Sequence, residues 1–191
     1  MPRTNIVFLS GTRKVDRLPG EVLELLNDLI DSKAVFIVGD APGSDRAFQK
    51  YLAKQEVDSV TVYFSAPTIR GNIGGWPSQF VDSGLKTKSN AMHSAKDRKM
   101  SELCTQAIMI WDGQSAGTLA NSIDVSEQDK TCYLYDFLEN ELMKFEATAS
   151  LMDYLEPFPK VTSEALRRLK RDRRRQKKAK VKNDENAILL F

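Results

Sequence analysis

Short apolar runs alternate with amphipathic helical patterns over the first 136 residues. The runs 6–9 and 34–38 are unbroken, which is typical of strands buried on both faces of a parallel sheet. Between them, apolar residues recur at helical spacing from Leu18 to Ile30, with Pro19 in the first turn. The same patterns predict helices at about 44–55, 90–104 and 117–125, and strands at 60–64, 107–111 and 132–135.

Five strands joined by helices predict an α/β, Rossmann-like, doubly wound parallel sheet of about five strands. Right-handed crossovers place helices on both faces of such a sheet. We expect the strand order 3-2-1-4-5, with the first and fourth strands side by side. Ligands of doubly wound folds bind at that switch point, beyond the carboxyl ends of the strands.

Two regions interrupt the repeat. Residues 65–89 are rich in glycine and proline, and a loop of that length is typical of a lid or a binding loop. After Tyr135 we expect an acidic helix over about 138–154, a break at Pro157 and Pro159, and a basic helix capped by Ser163. The predicted organisation is a ligand-binding domain over 1–137, an acidic helical extension over 138–159, and a basic tail over 160–191, helical or disordered.

The net charge of +2, from 28 bases and 26 acids, divides unevenly along the chain. Residues 160–191 hold 12 bases and 4 acids, a net of +8, which leaves 16 bases and 22 acids, a net of −6, for residues 1–159. From Arg167 to Lys182 there are 11 bases and no aromatic residue. This stretch is either a disordered or solvated helix, with the option of folding back on the acidic body, or a nonspecific contact for nucleic-acid phosphates.

Other classes of protein and site are disfavoured by composition. No apolar run approaches the ~18 residues that span a bilayer, so we expect no membrane partner. Cys104 and Cys132 have no neighbouring cysteine or histidine cluster and are interpreted as reduced structural thiols of a cytoplasmic protein. With His93 as the single histidine, no metal site is expected. No cofactor is expected either.

The first two predicted strands end in turns built from small residues. Gly11 and Thr12 let backbone N–H groups approach a ligand, and Arg13 offers a fork of donors for phosphate or carboxylate. The second turn runs from Gly39 through Asp40 and Gly43 to Ser44 and Asp45. Its glycines permit unusual backbone conformations, and Ser44 or Asp45 can cap the next helix. Each turn alone is also compatible with an ordinary strand-to-helix connection, and for the first turn taken alone that interpretation is favoured.

The fourth predicted strand ends in Asp112, and small residues lead from there into a helix. Gly113, Ser115, Gly117 and Thr118 place free N–H groups and hydroxyls at one helix start, which is a phosphate cradle. The segment is neither a P-loop, since no lysine follows, nor a GxGxxG dinucleotide motif.

These three turns and the segment 97–100, which contains Arg98, occur in the order found in the SLOG superfamily of nucleotide-binding domains, over about residues 5–136. The chain most resembles the YspA and YpsA-related branch, and more distantly the Lonely Guy phosphoribohydrolases. The resemblance implies a nucleotide or nucleotide-derived ligand, with phosphate at Gly117 and Thr118 and Arg98 among the binding residues. The oligomeric state stays open between a monomer and a homo-oligomer, although relatives with this fold commonly pair.

The Lonely Guy enzymes cleave an N-glycosidic bond with a glutamate and an arginine, whose positions here hold Asn121 and Lys96. An amide cannot act as a carboxylate base, and lysine lacks the planar fork of arginine. We therefore expect a nucleotide-binding or sensing module. The alternatives are an N-glycosidic hydrolase or transferase, and a nucleic-acid-binding protein like the DprA branch of the superfamily. For the enzyme, the candidate carboxylates are those of Asp40, Asp45 and Asp112.

Two further side chains have expected contacts. We expect Asp40 to meet ribose hydroxyls, a base edge or backbone N–H groups, since it would repel a phosphate. In the 65–89 loop, Trp76 near Arg70 is a candidate for stacking on a base.

Overall fold

The computed structural model describes residues 4–85 and 89–188, with the backbone alone at residue 90 and at residues 178–188. The elements follow in the order β1 (Ile6–Gly11), α1 (Gly20–Asp31), β2 (Val35–Gly39), α2 (Ser44–Lys54), β3 (Val60–Phe64), β4 (Ser78–Phe80), α3 (Asn90–Leu103), β5 (Gln106–Trp111), α4 (Ala116–Ser126), β6 (Thr131–Asp136), β7 (Glu141–Phe145), α5 (Thr148–Tyr154) and α6 (Pro159–Ile188).

The strands form one sheet in the order β4-β3-β2-β1-β5-β6-β7. Every neighbouring pair is parallel except β6 and β7. The predicted α/β class with a mostly parallel sheet is confirmed. The five predicted strands form the centre of the sheet in their expected relative order. The full count and order differ from the prediction, because one more strand is added at each edge.

Both faces of the sheet are covered by helices, which explains the unbroken apolar runs. In β1, Val7, Phe8 and Leu9 are all fully buried. Phe8 belongs to the core on the side of α3 and α4, with Met100 among its members, whereas Val7 and Leu9 belong to the core on the side of α1 and α2. Successive strand residues point to opposite faces, so a strand between two helix layers needs apolar residues at every position.

The sequence pattern predicted one acidic helix after Tyr135, and this prediction is wrong. Glu141–Phe145 forms the antiparallel edge strand β7, paired with β6 from Cys132 to Asp136, and the helix begins only at Thr148. At the other edge, the predicted long loop contains β4, which pairs with β3. Both added strands lie at the edges of the sheet. Most of their side chains remain at least partly exposed, so neither strand needs an unbroken apolar run.

The basic segment forms α6, which begins at Pro159 and not after a Ser163 cap. Proline suits the first turn of a helix because its missing N–H has no helical partner there. Helix α6 packs against α4 and buries Ala165 and Leu169. The predicted tail is therefore, in its first half, a layer of the folded body.

Cys104 and Cys132 are buried free thiols. Burial raises the pKa of Cys104 to about 11 and that of Cys132 to about 12, so both remain protonated at neutral pH. Across residues 4–85 and 89–188, no helix has an apolar stretch long enough to cross a bilayer.

Candidate functional site

A cavity of about 390 Å³ opens at the carboxyl ends of β1, β2 and β5. This is the switch-point edge that the strand order predicts for a ligand. The cavity is lined by eight of the fourteen predicted site residues: Gly11, Thr12, Arg13, Asp45, Asp112, Ser115, Gly117 and Thr118. The other six, Gly39, Asp40, Gly43, Ser44, Arg98 and Gly113, lie outside its lining.

The turns after β1 and β2 are locked to each other by backbone contacts. Ser44 donates both its N–H and its hydroxyl to the carbonyl of Thr12, at 3.0 and 2.8 Å. Gly43 has a φ of +80°, and a Cβ there would lie 2.5 Å from the backbone of Arg13. Ser44 and Gly43 therefore act by positioning the residues that line the cavity.

Asp112 organises the turn after β5. Its carboxylate accepts hydrogen bonds from the hydroxyl of Thr12 at 2.9 Å and from the N–H groups of Gln114 and Ser115 at 3.1 and 2.8 Å. Lys14 Nζ lies 3.5 Å away. Burial alone would raise the pKa of Asp112, but these donors outweigh it and the pKa is lowered. Asp112 is thus an ionised acceptor that joins two turns of the site.

The start of α4 is where the sequence predicts an anion-binding site. Ser115 is the N-cap, and its hydroxyl accepts from the N–H of Thr118 at 3.3 Å and from the Thr118 hydroxyl at 2.9 Å. The N–H groups of Ala116 and Gly117 belong to the first turn, where the helix itself supplies no acceptor. Because Gly117 has no side chain, the backbone is accessible from the cavity.

Arg168 of α6 lies directly over this helix start. A Cβ on Gly117 would be 3.0 Å from Nη1 of Arg168. Arg168 and Glu164, one helical turn apart on α6, both line the cavity. The sequence did not single them out, because the charge run contains many arginines and only the docking of α6 selects this one.

A cluster of buried charged side chains lies where the end of β2 meets α2 and α3. Lys96 Nζ lies 2.8 Å from Asp97 Oδ1 and 3.5 Å from Asp45 Oδ2. Burial would lower the pKa of Lys96, but the two carboxylates outweigh it and raise that pKa. Burial, aided by the charge of Asp97, raises the pKa of Asp45 despite Lys96. Gly39 makes room for the pair, since a Cβ there would lie 2.1 Å from Asp45 Oδ2 and 2.2 Å from Lys96 Nζ.

Asp40 is bound by an arginine that sequence reasoning had placed only beside Trp76. Arg70 Nε donates to Asp40 Oδ2 at 2.9 Å, Nη2 donates to Oδ1, and the Arg70 N–H donates at 3.1 Å. Asp40 therefore meets a backbone N–H, one of its three expected partners. Burial would raise the pKa of Asp40, yet Arg70 and Lys96 hold it below its usual value. Arg70 itself lines the cavity.

Arg98 has a different environment from the one that the resemblance implied. Its guanidinium donates to the side-chain oxygen of Asn121 and lies 3.1 Å from Asp124 Oδ2, between α3 and α4. Asp124 also accepts from Arg173 of α6 at 2.6 Å. Arg98 thus belongs to an ion-pair network that joins three helices, while Asn121, its neighbour, reaches the cavity wall.

Trp76 differs from its expected role, and His93 lies at the cavity. Trp76 is 9% exposed, packs in the core with α1 and α2, and donates its indole N–H to the carbonyl of Val57 at 2.8 Å. Its ring is therefore not free to stack on a base. His93 lines the cavity, and its buried Nδ1 has no hydrogen-bond partner. Burial lowers the pKa of His93, as do the charges of Arg70 and Arg13.

Within the part of the chain that the structure describes, no group of three or more His, Cys, Asp or Glu side chains is arranged to hold a metal ion. The cavity is lined by charged and polar groups, with basic side chains from the turn after β1, the 65–89 loop, α3 and α6, and with carboxylates from α2, α3, the turn after β5 and α6. Comparison with protein-family models, with curated proteins and with solved structures finds no match to this chain.

Proposed function

We propose that this protein binds a nucleotide or nucleotide-derived ligand in the cavity, as a binding or sensing module, with a phosphate at the start of α4, beside Arg168. The position of Arg168 over Gly117 carries the proposal. The start of a helix carries a partial positive charge, so a guanidinium beside it concentrates positive potential at that point of the cavity, and this favours a bound anion. A phosphate would accept from the free N–H groups of α4 and from Arg168 together.

The rest of the cavity suits a ligand larger than a free anion. Its volume of about 390 Å³ falls in the range of ~300–1,000 Å³ typical of small-molecule sites. Beyond the α4 end, it offers the hydrogen-bonding groups of Arg70, His93 and Asn121, which can recognise a sugar or a base.

Two of the three candidate catalytic carboxylates are held by basic side chains, which favours binding over catalysis. Those of Asp40 and Asp45 are bound by Arg70 and by Lys96. Asn121 stands where the similar enzymes have their glutamate, and it is engaged by Arg98. A second candidate function, N-glycosidic hydrolysis or transfer, is supported by Asp112, an ionised carboxylate on the cavity wall.

Calorimetry with nucleoside 5′-monophosphates and the matching nucleosides tests the proposal. We expect at least one monophosphate to bind at least about tenfold more tightly than its nucleoside, since charge-assisted hydrogen bonds contribute about 1.5–3 kcal/mol each. Absence of binding by every monophosphate, or equal affinity for the nucleosides, would contradict it.

Chromatography of the same mixtures separates the binding module from the enzyme. We expect each nucleotide to be recovered intact. Release of a free base that is lost in Asp112→Asn would establish the second candidate function and overturn the first.

A further inference from the structure

Helix α6 presents a row of bases on the side away from α4. Five exposed side chains recur at helical spacing along it: Arg167, Lys170, Arg171, Arg174 and Lys177. On the opposite side, Ala165, Leu169 and Asp172 are buried. Residues three and four apart lie on one face of a helix, so the five bases form a single surface, called here the basic face.

The basic face carries charge that the protein does not neutralise. The arginines on the flanks of α6 are paired, Arg173 with Asp124 and Glu127, and Arg175 with Asp172. Among the residues whose side chains are described, none of the five bases of the basic face forms an ion pair. At 1.5 Å per residue they span about 15 Å of a straight helix, one base per three or fewer residues.

We propose that the basic face binds the phosphate backbone of double-helical DNA without regard to base sequence. Duplex DNA carries about one negative charge per 1.7 Å of its axis, and so matches a dense and rigid row of bases. The major groove of B-form DNA, about 12 Å wide, admits an α-helix, whereas the deep major groove of A-form RNA is too narrow.

Two other polyanions fit this surface less well. Proteins that bind single strands stack bases on aromatic side chains, and the basic face has none. A helix that lies in a membrane surface buries its apolar face in lipid, but the apolar face of α6, with Ala165 and Leu169, is already buried against α4.

This proposal goes beyond nucleotide binding and uses a separate surface. The cavity takes Arg168 and Glu164 from α6, whereas none of the five bases of the basic face lines it. Either function can therefore fail while the other stands.

Fluorescence anisotropy of the full chain with a labelled DNA duplex of mixed sequence tests the proposal. Five neutralised phosphates predict roughly 500-fold weaker binding at 200 mM than at 50 mM salt. The test variant changes all five bases of the basic face to glutamine. The control variant changes five exposed bases on the opposite side of the molecule to glutamine and so alters the net charge equally: Arg17, Lys33, Arg46, Lys50 and Lys54.

We expect the basic-face variant to bind at least about tenfold more weakly than wild type, with a flatter salt dependence, and the control variant to bind like wild type. Equal losses in the two variants, or no binding by wild type, would overturn the proposal. So would equal or tighter binding of wild type to the single strand, to an RNA duplex or to phosphatidylserine vesicles. If circular dichroism shows that the fivefold variant is unfolded, the double variant Lys170→Gln, Arg174→Gln is measured in its place, with a smaller loss expected and no loss contradicting the proposal.

Discussion

The guanidinium of Arg168 lies so close to Gly117 that a single added carbon on that glycine would be 3.0 Å from Nη1. One residue comes from the basic C-terminal helix and the other from the start of α4. Their contact makes α6 part of the cavity, although the sequence pattern separates the two regions. It also gives the cavity two sources of positive potential at one point.

Gly117→Ala tests this contact without removing any charge. Because the far end of a flexible arginine can shift, we expect no loss of thermal stability, and alanine is about 0.5–1 kcal/mol better than glycine within a helix. The affinity for a nucleoside monophosphate should fall, since the methyl group displaces Arg168 and covers the N–H groups of α4. Calorimetry and thermal unfolding measure the two effects. A less stable variant with unchanged affinity would contradict the assignment.

Docking of α6 is tested by two leucines of the same helix. Leu169 is 2% exposed and Leu166 is 39% exposed. We expect Leu169→Ala to lower the free energy of unfolding by about 2–5 kcal/mol, because it leaves a cavity between α4 and α6. Leu166→Ala should change it by no more than about 0.5 kcal/mol.

The same leucine substitution should weaken ligand binding, because Leu169 holds Arg168 in place. Denaturant unfolding and ligand titration of both variants check this. Equal stability of the two variants would show that α6 does not depend on this packing.

Gly39→Ala addresses the buried pair of Asp45 and Lys96. A Cβ there would lie 2.1 Å from Asp45 Oδ2 and 2.2 Å from Lys96 Nζ, and neither group can move into water without losing its partner. We expect a loss of about 1–3 kcal/mol in the free energy of unfolding, or more if the ion pair breaks. Gly20→Ala is the matched control, because nothing lies within 4 Å of the added carbon. Denaturant unfolding that shows equal effects would refute the role assigned to Gly39.

We expect Asp112→Asn to change how the free energy of unfolding depends on pH. Since the folded-state pKa of Asp112 is lowered, its ionised form contributes stability above the unfolded pKa of about 3.9, and that contribution is lost as pH falls through the folded value. We expect Asp112→Asn to be less stable by about 1–3 kcal/mol at pH 7. The difference should shrink below about pH 4. Urea unfolding across pH measures it, and a difference that stays constant would contradict the ionised hydrogen-bonded state.

The sequence predicts the parts of this fold in which every residue is constrained by burial. The central strands are examples, since residues such as Val7 and Phe8 are fully buried on opposite faces of the sheet. Strand β7 escaped prediction because Glu141 to Lys144 remain at least partly exposed and are held by backbone pairing. The turns rich in small residues predicted the location of the cavity, because glycine and serine are needed where two turns approach closely.

The contacts of individual side chains were harder to predict. The segment 97–100 was expected to supply Arg98 to the ligand. Arg98 instead pairs with Asp124, between α3 and α4. Arg70 and Arg168 come from a long loop and from a charge run, and neither pattern distinguishes them from surface arginines. Only the three-dimensional arrangement brings them to the cavity.

The most direct test of the proposed phosphate site compares two adjacent arginines of α6. Arg168 lines the cavity, whereas Arg167 is exposed on the basic face. Calorimetry would measure, for wild type, Arg168→Gln and Arg167→Gln, the affinity for a nucleoside monophosphate and for its nucleoside. The account predicts that Arg168→Gln lowers the monophosphate affinity by about tenfold or more, leaves the nucleoside affinity unchanged, and that Arg167→Gln changes neither. Equal loss of both affinities in Arg168→Gln, or the same loss in both variants, would contradict it.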